Sequence, residues 1–371
     1  MYNRATLLYA IIPPYPMTTH RFEKRIDFLQ KNHPQIYPFI IEIERSKAYW
    51  ESFQSFSPEY LGHLKKSVIV SSTGSSTRIE GSTLTDDEIE KMLSRSSIQK
   101  LSTRDEQEVS GYLELIKLVF ASYETISFSE GTLLQFHEMS LHYSEKDQLH
   151  KGRYKNDSNT VVLVEDGVQK GVIFDPTAPH LVQGEMIELM EWTRTAFQEQ
   201  KHHPLLIIGN FVFEYLSIHP FKDGNGRTSR IITNLLLLQQ GYDFVPYVSH
   251  EKIIEDNKAD YYLALRKSTR NWKTEDDEDI HHWILFFLKV IQIQAEKAKA
   301  ITLADDPTLF LSRQQTQVWN CFLEHSEWTR KEIADHTGIS INSLNPALNK
   351  LLELKKIERI GQGRGTRYRK A

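Results

Sequence analysis

A mainly α-helical chain with one β-hairpin and a small basic C-terminal domain is the fold this sequence predicts, on three observations. Apolar residues recur at helical spacing along most of the chain. Ahead of the C-terminal segment, strand-like patterning is confined to residues 160–174. The charge balance also changes sign near residue 309: residues 309–371 hold eleven Lys or Arg against six Asp or Glu, a balance of +5, which leaves −9 for the rest. With 371 residues, 40% hydrophobic and 25% charged, the chain can bury sizeable cores and should hold two or three domains. The boundaries expected are 1–100, 101–300 and 309–371. A net charge of −4 points to no particular partner. One cysteine, Cys321, excludes an intramolecular disulfide and fits a reducing cytoplasm, the location expected. No stretch reads as a signal peptide or membrane span, since Leu7 to Ile12 is short and runs into Pro13 and Pro14.

A Pro-rich arm, Ile11 to Pro16, opens the chain, and Phe22–Gln30 and Phe39–Phe53 follow as helices whose expected use is packing. The small-residue run Ser71 to Gly81 then reads as part of a helix-to-helix joint over 71–85. Ser82 or Thr85, ahead of Asp86, Asp87 and Glu88, would cap the helix carrying Ile89, Met92 and Leu93. Between Arg104 and Tyr143 two helices show apolar stripes, Tyr112, Leu115, Ile116, Val119 and Leu133, Phe136, Met139, Leu141, with His137 and His142 as packing or capping residues. Thr160–Val164, Glu165-Asp166-Gly167 and Val168–Phe174 form a strand–turn–strand pattern. Helices resume at Val182–Phe197, Asn257–Lys267 and Trp283–Val290, with Ala295–Ala304 as a polar helical connector.

Leu205–Ile218 and Ile231–Leu238 are almost continuously apolar, and between them lies His219-Pro-Phe-Lys-Asp-Gly-Asn-Gly-Arg-Thr-Ser-Arg230. Pro204 opens the first helix, Pro220 closes it, and Gly241 ends the second. Amides of a Gly-Asn-Gly turn point into one concavity, and the next helix adds unpaired N–H groups and the positive end of its dipole. The loop therefore reads as an anion site. Arg227 and Arg230, three apart on the first turn, are cationic clamps suited to a polyphosphate. Asp223 offers hard oxygens to a divalent cation such as Mg²⁺, and His219 is a proton acceptor near neutral pH. Base, metal ligand, oxyanion cradle and clamps are the parts of a phosphate-transfer site. Glycines followed by Lys-Ser/Thr are absent, so this is not an ordinary P-loop.

This run resembles the Fic motif, His-x-Phe-x-Asp/Glu-Gly-Asn-Gly-Arg-x-x-Arg, at every specified position. The resemblance implies an all-helical Fic fold that transfers AMP from ATP to a protein Ser, Thr or Tyr hydroxyl and releases pyrophosphate. It makes His219 the base, Phe221 the core anchor of the loop, and Asp223 the Mg²⁺ ligand. Gly224, Asn225 and Gly226 become the phosphate cradle, with Arg227 and Arg230 on the β- and γ-phosphates. Ser76-Thr-Arg-Ile-Glu80-Gly81 resembles the family's inhibitory motif, which implies that Glu80 pairs with Arg230 and fills γ-phosphate space. The hairpin would be the flap that aligns a target segment by strand-like hydrogen bonds, with Gly152-Arg153-Tyr154 leading into it. A Tyr at 261 or 262, by preference Tyr262, would face the adenine.

In the basic segment, Arg313–Phe322, Thr329–His336 behind a Thr329 cap, a Gly338 turn and Ser340–Leu354 are followed by Lys356–Tyr368 with Gly361, Gly363 and Gly365. Three helices and a β-wing resemble a winged helix-turn-helix, with Asn342, Asn345, Arg364 and Arg367 as DNA-contact candidates. Such modules also dock proteins or dimerise. A self-inhibited adenylyltransferase, its reverse reaction with Glu80 orienting water, and a DNA-binding regulator that senses nucleotide all remain open, as does a homodimer. The presence of both His219 and Asp223 favours the enzyme.

Overall fold

The computed structural model describes residues 20–52, 58–94, 101, 103–165, 168–270, 272–273, 278–303, 311–354, 356–361 and 363–370. The arm Ile11–Pro16, Phe53, residues 166–167 of the hairpin turn and the break at 305–307 lie outside them, as do the side chains of Asn342 and Arg364. The chain divides into two compact units, residues 1–54 with 64–299 and residues 55–63 with 300–371.

Helices build the larger unit: α1 (His20–Asn32), α2 (Ile36–Ser52), α3 (Pro58–Ile79), α4 (Asp86–Ser94), α5 (Arg104–Ser122), α6 (Glu130–Ser140), α7 (Pro179–Glu199), α8 (Pro204–Ile218), α9 (Asn225–Gln239), α10 (His250–Asp256), α11 (Lys258–Ser268) and α12 (His281–Leu303). The apolar run from Leu205 is buried at every residue to Ile218, so α8 forms the centre of the bundle. α7 and α9 pack on it, α5 and α6 close over α9, and α1 reaches α8. A carboxylate inside that bundle needs partners. Fully buried Glu214 of α8 has Arg21 at 2.6 Å, Arg25 at 3.0 Å and the Trp272 indole N–H at 3.0 Å. Those ion pairs fasten α1 to the centre.

Helix starts follow their caps. Thr103 and Ser129 accept from backbone N–H groups three residues on, at Glu106 and Thr132. Thr85, rather than Ser82, caps α4: its Oγ1 accepts from the Glu88 N–H at 3.3 Å, and its own N–H donates back to Glu88 at 2.8 Å. The connector expected at Ala295–Ala304 continues, as far as Leu303, the same helix as Trp283, within α12, and Ala304 lies outside the described residues.

One expectation is corrected. Residues 71–79 are not a joint but the end of the 22-residue α3, and the joint shortens to the residues between Ile79 and Asp86. Small hydroxyl residues read as loop-formers because they bond to backbone locally. Here Thr77 spends its hydroxyl on the Thr73 carbonyl at 2.8 Å, Ser72 meets Ser249 at 2.8 Å, and Ser75 meets Glu255 at 2.9 Å. Their small volume admits buried close packing that larger side chains would block.

β1 (Val161–Glu165) and β2 (Val168–Phe174) pair antiparallel, with Val161 opposite Phe174 and Glu165 opposite Val168. In the smaller unit, α13 (Arg313–Glu324), β3 (Glu327–Trp328), α14 (Arg330–Thr337), α15 (Ile341–Glu353), β4 (Ile357–Ile360) and β5 (Arg367–Lys370) follow. Ser312, Thr329 and Ser340 cap the three helices, and Gly338 ends α14 at φ 71°. Its sheet runs β3-β5-β4, and β3, two residues long, has too little patterning to be read from sequence. Val318, Trp319, Phe322, Ile333, Leu344, Leu348, Leu351 and Tyr368 form the core of this unit. No helix among the described residues is long and apolar enough to cross a membrane.

Candidate active site

The loop joins the centre of the bundle to α9. His219 ends α8 in the left-handed region at φ 51°, its N–H donating to the Tyr215 carbonyl. Its Nδ1 lies 3.4 Å from the Leu216 carbonyl, which can only accept, so Nδ1 carries the hydrogen and Nε2 keeps the lone pair. Burial, with the nearby Lys155 cation, lowers its pKa to about 4. At neutral pH the imidazole is therefore uncharged, with Nε2 able to accept a proton.

Phe221 is fully buried, as the anchor should be. Asn225 turns its side chain inward, accepting from the Phe221 N–H at 2.9 Å and donating to the Phe221 carbonyl at 2.8 Å. It therefore closes the loop, and its contribution toward the concavity is main-chain. Gly224 caps α9 at φ 76°, a conformation that disfavours a side chain. Gly226 leaves room for the Glu80 carboxylate, since a Cβ there would stand 2.1 Å from Glu80 Oε1 and push that side chain aside.

Both arginines are buried, with incomplete hydrogen bonding. Arg227 ion-pairs through Nη1 with Glu108 at 3.0 Å and through Nη2 with Asp223 at 3.3 Å, while its Nε finds no hydrogen-bond partner. Arg230 donates from Nε to Ser76 Oγ at 2.8 Å, and from Nη2 to the Ser76 carbonyl at 2.9 Å and Glu80 at 2.8 Å. Its Nη1 is unpartnered. Burial opposes the Arg230 charge, but the Glu80 carboxylate and its hydrogen bond, together with the Tyr261 and Tyr112 hydroxyls, outweigh it and raise the pKa. Glu80 thus meets Arg230 as the resemblance implies, Ser76 joins it there, and Gly81, at φ 104°, turns the chain away after α3.

Asp223 stays ionised although burial opposes it, because Arg227, the Gly224 N–H at 2.6 Å and Arg104 at 3.0 Å favour the carboxylate. With its side chain 36% exposed, it suits a hard divalent cation that shares phosphate oxygens. Tyr261 is buried and Tyr262 partly so, and burial, then the Glu80 charge, raises the Tyr262 hydroxyl.

Sequence reasoning missed three supports. His137, expected to pack or cap, stacks on Phe221 at 3.7 Å with planes 4° apart. Its Nδ1 accepts from the Gly152 N–H at 3.0 Å, so Nε2–H donates to the Asp223 carbonyl, also at 3.0 Å. Lys155 bonds to the chain on both sides of His219. Arg78 forks onto Glu255, Nε at 2.6 Å and Nη2 at 3.2 Å, and fastens the end of α3 to α10.

A helical bundle whose central helix breaks into a glycine-rich loop, with a buried histidine before it and two buried arginines after it, defines the class. Residues 127–237 match the Fic/DOC family. A Fido domain-containing protein of Dictyostelium discoideum is 32% identical over 135 residues, 34% of this chain and 87% of that protein. The chain belongs to the Fic/DOC family. The protein adenylyltransferase Fic of Nematostella vectensis is 28% identical over 196 residues, 52% of this chain and 42% of that protein, so the chain spans less than half of that relative. A Fic family protein from Desulfovibrio desulfuricans shares the fold at TM-score 0.62 and 21% identity, over 91% of this chain and 96% of that one.

Proposed function

We propose that the chain is a protein adenylyltransferase, taking ATP as co-substrate and restrained by its own Glu80. The observation that carries this reading is the 2.8 Å contact of Glu80 with a buried arginine whose Nη1 has no partner. Buried guanidinium donors left unsatisfied are costly, and a triphosphate would complete them. His219 Nε2 takes the proton of a target Ser, Thr or Tyr hydroxyl, the oxygen bonds to the α-phosphorus, and the bond to the β-phosphate oxygen breaks, releasing pyrophosphate. Main-chain N–H groups at Asn225 and Gly226 receive developing charge, and Arg227 and Arg230 hold the leaving phosphates. Asp223 would hold Mg²⁺, which when bound neutralises phosphate charge. Tyr262 is assigned to the adenine face, and the edge of β1–β2 to the target backbone. Entry of the γ-phosphate requires Glu80 to leave Arg230.

The smaller unit is assigned to a winged-helix module, and its charges favour protein docking over DNA. Arg367 lies 3.4 Å from Glu327 and 3.6 Å from Glu332, and Arg369 is paired with Glu358, so phosphodiesters would have to displace carboxylates.

Label transfer from α-labelled ATP with Mg²⁺ tests the enzyme reading. Label on the Glu80→Gly chain or a target, weak in the unaltered chain and absent from Glu80→Gly with His219→Ala, supports it. Absence of label throughout, with ATP still bound, removes AMP transfer and favours a nucleotide sensor.

A further inference from the structure

Residues 152–159, between α6 and β1, run along the entrance of the loop. The Lys155 N–H donates to the Pro220 carbonyl at 2.8 Å, and Lys155 Nζ donates to the Ile218 carbonyl at 3.2 Å. One residue thus holds the peptide oxygens on both sides of His219. Nζ also donates to Asn159 Oδ1 at 2.8 Å, and Asn159 Nδ2 donates to the Phe221 carbonyl at 3.3 Å. Lys155 is only 4% exposed, and the oxygens that accept from its ammonium are neutral.

A buried cation hydrogen-bonded only to neutral oxygens costs stability that a methionine of similar length would not. Burial lowers the Lys155 pKa to about 8, with Glu185 opposing and Lys273 adding to that effect. At pH 7 most of the residue nevertheless remains charged. Burial is the largest influence against protonation of His219 and the Lys155 cation adds to it, while Glu80 and Asp223 favour the imidazolium.

We propose that Lys155 is a positioning residue for the base: it fixes the left-handed backbone at His219 through both flanking carbonyls and sets a buried positive charge beside the imidazole. The inference rests on His219 being the base. Its effect is to keep Nε2 as a free lone pair when a target hydroxyl arrives, and to hold that nitrogen in one place.

The full chain is labelled at histidine Cε1 with ¹³C and titrated by NMR, the His219 signal being assigned by its loss in His219→Ala. Lys155→Met and Lys155→Gln should each raise the His219 midpoint by about one pH unit, with Lys155→Arg leaving it in place. In the Glu80→Gly background Lys155→Gln should lower kcat for label transfer at least about tenfold while KM for ATP holds, since the phosphate clamps are untouched. An unchanged midpoint in folded Lys155→Gln overturns the proposal. If Lys155→Met does not fold, the Gln variant, which keeps a donor, carries the test. The titration needs no turnover, so a chain without transferase activity but with a shifted midpoint separates failure of the enzymatic reading from failure of this one.

Discussion

His137 braces the loop from behind, meeting it through the Phe221 ring and the Asp223 main chain. Its ring covers Phe221, its Nε2–H holds the Asp223 carbonyl, and its Nδ1 holds the segment leading to the hairpin. Burial lowers its pKa to about 4, so all three contacts are made by a neutral ring. His137→Ala removes a stacked ring and two buried hydrogen bonds, and should cost about 2–4 kcal/mol in urea denaturation. His137→Phe, which keeps the ring, should cost less; equal losses would assign the whole effect to the polar contacts. The loop residues are legible in sequence because they are contiguous and chemically unusual together. His137 and Lys155 are not, since their partners at Asp223 and Ile218 lie 86 and 63 residues away. A histidine or lysine alone carries no sign of which distant carbonyl it will meet.

α3 is the element where local reading fails most instructively. A run of Ser, Thr and Gly has weak helix propensity, so residues 71–79 read as a joint, yet tertiary packing makes them helix. That helix gives the Ser76-to-Glu80 spacing its meaning, because residues four apart share a face and both meet Arg230. The Arg78 fork onto Glu255, the Arg78–Asp86 pair at 2.9 Å and the Ser75–Glu255 bond hold that face in place. Arg78→Ala should loosen the end of α3 and raise basal label transfer several-fold, short of the Glu80→Gly rate. Rates equal to the unaltered chain would mean that the Glu80–Arg230 contact needs no such fastening. Caps and breakers were readable where chemistry is local, at Thr85, Pro204 and Thr329. The two-residue β3 was not, because its pairing with β5 is set by a strand about forty residues away.

Across the whole molecule, the central apolar α8 and the glycine-rich start of α9 are what allow one loop to carry base, cradle and clamps, and α3 brings a carboxylate against them. AMP transfer at this loop requires attack on the α-phosphorus of ATP. Its direct test is parallel label transfer by Glu80→Gly from α-labelled and γ-labelled ATP with Mg²⁺. Label from the α-phosphate should enter protein while label from the γ-phosphate leaves with pyrophosphate. Protein labelled from the γ-phosphate would contradict nucleotidyl transfer at this site, and so would the absence of both labels with ATP bound.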